Sequence, residues 1–102
     1  MIKTITIQNE VVTLSNSLDY SIRCQQKFGH SPLKILNDSE ANLDDLAVIK
    51  VVYCMITPEP KYSFDDFCKK LTPKDLPRIA DTFKELYQDG QPTAEQSKKI
   101  KN

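Results

Sequence analysis

The sequence is poor in the residues that chemistry usually requires. It has two glycines, one histidine and three cysteines in 102 residues, and lysine plus arginine balances aspartate plus glutamate at 14 each. Two glycines exclude a glycine-rich phosphate loop of recognisable motif. Zero net charge supplies no field to draw in a polyphosphate, which disfavours nucleic acid as a partner. Cys24, Cys54 and Cys68 stand far apart in apolar surroundings with no C-x-x-C pair, and one histidine cannot complete a common structural zinc site. They read as buried free thiols of a reducing compartment. The opening MIKTITIQ alternates and lacks the apolar run of a signal peptide. No apolar run approaches the roughly 20 residues that span a bilayer. The expected setting is the cytoplasm, with no membrane partner.

What is present describes one small domain over residues 1–90 and a polar, disordered tail over 91–102. In ITIQNEVVTL, Ile5 and Ile7, then Val12 and Leu14, alternate with polar residues on either side of Gln8-Asn9-Glu10, the pattern of a β-hairpin. Asn16-Ser17 offers an N-cap for a helix from about Leu18 to Phe28, with Gly29 as its left-handed stop. Ser31-Pro32 opens a short helix to Leu36. Asn42 and Asp45 resemble a capping pair before LAVIKVVYCMI, Leu46 to Ile56, a helix expected to be enclosed on nearly all sides. A buried strand is the competing reading there. Pro58 and Pro60 end it, Ser63 caps a helix carrying Phe64, Phe67, Cys68 and Leu71, and Thr72-Pro73 leads into a last amphipathic helix closed by Gly90. The fold class expected is α+β, mainly α: an N-terminal hairpin followed by a bundle of four to five helices.

Candidate chemistry is sparse. His30, within KFGHSPLKIL, has no serine or cysteine partner at a motif spacing and reads as a solvent-facing corner residue. Asp38, Glu40, Asp44 and Asp45 fail the calcium-loop order, having no glycine at the sixth position and no glutamate at the twelfth. Lys98, Lys99 and Lys101 form a basic end without interleaved aromatics, and Arg23 and Lys27 read as the wet face of the first helix. Lys50, alone in an apolar helix, either snorkels to the surface or marks a partner contact. No catalytic, cofactor-binding or metal-binding residue is expected, and a binding or assembly role is what remains.

The order of the pieces carries a resemblance: a short hairpin, a helix ending in K-F-G, an S-P-L-x-x-L restart, an apolar central helix, then S-F-D-D-F and a closing amphipathic helix. Over about Ile2 to Tyr87 this resembles the tail assembly chaperones of long-tailed bacteriophages and prophages. The resemblance implies a non-enzymatic protein of the host cytoplasm that binds the helical, aggregation-prone tape measure protein while the tail tube forms, with the tube protein as a second candidate partner. It implies a homo-oligomer, absence from the mature virion, and often a longer frameshifted form. Holding an amphipathic client requires an apolar groove or a strand edge. Tyr20, Phe28, Tyr53, Phe64 and Phe67 are the aromatics expected to border such a surface, and the core is the alternative place for each. Two other readings stand beside this one: a phage connector or other structural subunit, which would persist in particles, and a small DNA-binding regulator using the KFGHSP corner as a helix-turn-helix turn.

Overall fold

A computed structural model describes residues 1–38 and 45–89. Two strands, β1 (Ile2–Ile7) and β2 (Glu10–Ser15), are followed by α1 (Asp19–Phe28), α2 (Pro32–Asp38), α3 (Asp45–Met55) and α4 (Phe64–Lys70). A single 3-10 turn (Pro73–Asp75) then leads into α5 (Leu76–Asp89). The expected α+β, mainly α, architecture is what forms. The expected tail at 91–102, Gly90 and the Asn42 half of the capping pair lie outside the described residues.

The hairpin pairs Ile7 with Glu10 across a two-residue loop whose central residues, Gln8 and Asn9, have φ of 50° and 66°. That left-handed pair matches the right-handed twist of the strands, as primed turns do. Gln8 tolerates the conformation worse than asparagine, and Asn9 worse than glycine. Replacing Gln8-Asn9 by Asn-Gly is therefore expected to stabilise the domain by about 0.5–1 kcal/mol, read as a melting temperature several degrees higher in a thermal scan.

Alternation puts Ile5, Ile7, Val12 and Leu14 into the core. In a hairpin closed at Ile7/Glu10, hydrogen-bonded pairs recur at every second residue, so the main-chain groups of Thr4, Thr6, Val11 and Thr13 point outward along the two edges. Both edges are partly occupied. The Thr57 N–H donates to the Thr13 carbonyl at 2.9 Å beside an isolated bridge between Leu14 and Ile56. On the other edge, Arg78 donates to the Thr6 carbonyl at 2.9 Å.

α3 is the central element. Ala47 to Met55 are buried except Lys50, and the hairpin, α1, α2, α4 and α5 all pack on it. It is a helix and not the competing strand. α5 buries Ile79, Phe83 and Leu86 at helical spacing. Gly29 ends α1 at φ 76°, with its N–H on the Gln25 carbonyl. Ser31 caps α2 by accepting from the Lys34 N–H at 3.2 Å, and Ser63 caps α4 by accepting from Asp66 at 3.1 Å.

Asn16 does not cap α1. Its amide donates to the Leu86 carbonyl at 3.0 Å and to Asp89 Oδ2 at 2.8 Å, tying the end of β2 to the last turn of α5. α1 starts instead through main-chain turns from Ser17 and Leu18. Among the described residues, no helix is long and apolar enough to cross a membrane.

Candidate functional site

Four of the five aromatics expected to share a surface do meet. Phe28 of α1 packs edge-on to Phe64 at 5.2 Å between ring centroids, and Tyr53 of α3 lies 5.6 Å from both Phe64 and Phe67. Tyr62, not singled out from sequence, completes the group by stacking on Phe67 at 6.2 Å and accepting the Tyr53 hydroxyl hydrogen bond on its main-chain carbonyl. Tyr53 and Phe67 are buried, while Phe28, Tyr62 and Phe64 are half-buried. The cluster is thus an internal joint between α1, α3 and α4, and its centre offers no ring to a partner.

Cations close its rim. Lys50 lies 5.7 Å from the centre of the Phe28 ring, Lys27 lies 5.5 Å from Tyr53, and Lys70 lies 4.1 Å from Tyr62. Lys50 therefore follows the first of its two readings: it leaves the apolar helix by lying over an aromatic face. Lys27 also pairs with Glu59 at 3.1 Å, a bond that raises its pKa. Arg23 departs further from a wet face. It is half-buried and donates to the carbonyls of Cys54 and Ile56 at the end of α3. Sequence could not show this, because its acceptors lie 31 and 33 residues further on.

Tyr20 stands apart from the cluster. With Ser21, Ser31, Pro32, Leu33 and Tyr87 it lines an open groove of about 340 Å³ where α1, α2 and the last turns of α5 converge. Its half-buried phenol is raised in pKa, first by burial and then by Tyr87 and Cys24. α1 turns Tyr20, Cys24 and Phe28 inward and leaves Leu18 and Ile22 on its outer side, 76% and 53% exposed. Leu33, on the groove wall, is 58% exposed. The sequence spacing predicts Leu18 and Ile22 on one apolar stripe of this helix with Tyr20, Cys24 and Phe28 near it; the structure corrects this, since the latter three face the core and the first two do not.

Two of the three thiols are enclosed. Cys24 and Cys54 are buried side by side between α1 and α3, and the Cys54 thiol is pushed up by its hydrogen bond with Cys24 and by burial. His30 is exposed at the corner between α1 and α2. Among the described residues, no group of three histidine, cysteine or acidic side chains converges as metal ligands would. Compared with protein families, with curated proteins and with solved structures, the chain matches none.

Proposed function

We propose that this chain is a non-enzymatic tail assembly chaperone that holds the tape measure protein of a long-tailed phage while the tail tube is built, working in the host cytoplasm. The observation that supports the reading is Leu33, 58% exposed on the wall of the Tyr20–Tyr87 groove. An open groove with a large aliphatic side chain left in water on its wall is the kind of surface that accepts the apolar face of a helix, whose anchors recur at i, i+3, i+4 and i+7. The aromatic set expected to border the client contact contributes Tyr20 to this groove; Phe28, Tyr53, Phe64 and Phe67 brace α1, α3 and α4 against one another.

Such a contact is small, so several copies along one long client would supply the holding strength. The test is co-expression with the tape measure protein, followed by size exclusion with light scattering. A soluble complex containing several copies per client, where the client alone precipitates, supports the reading; a free chaperone beside an insoluble client sinks it. Leu33→Asp is expected to weaken capture by about ten- to a hundredfold, the loss of one buried leucine anchor. The fold should survive, because Leu33 is exposed and an acid in the first turn of α2 suits that helix end. Isothermal titration against a soluble client fragment, with circular dichroism as control, measures both.

A further inference from the structure

We propose that Cys24 and Cys54 are the two halves of a disulfide latch that closes on oxidation and locks α1 onto α3. Cys24 is the one fully buried residue of α1, and α1 packs on α3 more than on any other element. Cys54 lies on α3, also with no exposed surface. Their thiols hydrogen-bond to each other. An independent contact fixes the same alignment: Arg23, next to Cys24 in the chain, donates to the Cys54 carbonyl at 3.3 Å. Helices in contact lie about 8–10 Å apart, with Cα atoms about 2.3 Å from each axis. Residues on the facing lines then come within the Cα separation that a disulfide spans, about 4.4–6.8 Å. Closing the bond asks for a small adjustment and no change of fold.

The two thiols are not equivalent. Their shared hydrogen bond lowers the pKa of Cys24, against the effect of burial, and raises that of Cys54. Cys24 is therefore the attacking thiolate. The oxidant is a small-molecule disulfide such as oxidised glutathione, which reaches Cys24 when the fold opens. The Cys24 sulfur attacks one sulfur of the oxidant, and the first glutathione leaves and takes up the Cys24 proton. As α1 returns to α3, Cys54 gives up its proton and attacks the Cys24 sulfur of the mixed disulfide. The cations of Lys27 and Arg23 favour the Cys54 thiolate that this step needs. The second glutathione leaves and takes up that proton. Two electrons thus pass to the oxidant: one disulfide forms in the protein, one breaks, and two glutathione thiols are released.

The latch acts on the helix that carries Tyr20 of the groove and Phe28 of the aromatic joint. With the thiols reduced, α1 is held by packing, by Arg23 and by the Lys27–Glu59 pair. With the disulfide closed it is tied across a loop of roughly 30 residues, which removes from the unfolded chain much of the freedom that favours opening. Cys68 takes no part: it stands on α4, where burial and Asp65 rather than a second thiol set its chemistry.

The test is refolding of the full chain from a reduced, denatured state, with oxidised glutathione in one sample and excess reducing agent in the other. Free thiols are then blocked and the protein is cut with trypsin, which places the three cysteines on separate peptides. The latch is expected as the peptide Cys24–Lys27 joined to Val51–Lys61, with Cys68 on Tyr62–Lys69 outside the pair. The oxidised protein is expected to melt roughly 10–25 °C above the reduced protein. Cys54→Ala should abolish both the joined peptide and the difference between the samples, and Cys68→Ser should leave both unchanged. The comparison of oxidised with reduced parent needs no variant, so it stands even where Cys54→Ala folds poorly. Absence of the joined peptide overturns the proposal, as does pairing of either cysteine with Cys68 in its place. A Cys24–Cys54 bond that leaves the melting temperature unchanged or lower overturns it equally, since that bond would not belong to the folded packing of α1 on α3.

Discussion

Phe67→Ala is expected to lower the stability of the domain by about 3–5 kcal/mol, the usual cost of emptying a fully buried phenylalanine site. Phe67 has no exposed surface and packs against the rings of both Tyr53 and Tyr62. Its helix, α4, has seven residues, too few to persist without tertiary support. Ser63 satisfies one main-chain donor at its start, but Phe67 is the side chain that α4 buries completely. Against a total stability of some 5–15 kcal/mol for a domain of this kind, the loss is a large fraction. Urea titration should show a much lower midpoint, and the melting temperature should fall by roughly 15–30 °C.

Phe67→Leu, which keeps most of the volume, should cost about a third as much. A second readout separates local release of α4 from global weakening. Cys68 is half-buried on the same helix, and burial raises its thiol pKa. In Phe67→Ala it should react with a thiol reagent much faster than in the parent under native conditions, while buried Cys24 and Cys54 react only on global unfolding. A cost below 1 kcal/mol with Cys68 still protected would mean that α4 is held by something other than this ring.

The contrast between Phe67 and Asn16 shows which parts of the fold are legible in sequence. Features decided within a few residues were readable: alternation in β1 and β2, the Ser31 and Ser63 caps, the left-handed Gly29, and the apolar run of α3. Features decided across the chain were not. Asn16-Ser17 has the local form of an N-cap, yet Asn16 binds groups 70 and 73 residues away, because the end of β2 lies beside the last turn of α5. The five aromatics were identifiable as a set by type. Only packing divides them into four that brace α1, α3 and α4 and one, Tyr20, that faces the groove. Leu18, Ile22 and Leu33 illustrate the same limit in reverse: an aliphatic residue carries no mark saying that its side of the helix is left uncovered.

Arg23→Met is expected to destabilise the domain by about 2–4 kcal/mol, because α3 ends inside the protein and its last carbonyls depend on side chains. A helix leaves its final carbonyls without partners of its own, and at a buried end each must find one. Here the set is provided for one by one. The Tyr53 carbonyl accepts from the Ile56 N–H at 3.3 Å, and the Met55 carbonyl from the Thr57 hydroxyl at 3.3 Å. The Cys54 and Ile56 carbonyls both accept from a single guanidinium nitrogen of Arg23. That cation also lies at the negative end of the α3 dipole, where positive charge is favoured. Methionine keeps the length of the stem but supplies no donor, so both carbonyls lose a charge-assisted bond worth about 1.5–3 kcal/mol, offset in part by water reaching this half-buried site. Lysine restores the charge and carries its donors on one nitrogen, but its stem is one atom shorter and its ammonium more strongly hydrated, so Arg23→Lys should recover less than half of the loss. Because Cys54 belongs to the same turn, its amide and those of Met55 and Ile56 should exchange hydrogen faster in Arg23→Met than the amides at the start of α3. Uniform acceleration along α3, or stability equal to the parent, would show that the end of this helix does not depend on Arg23.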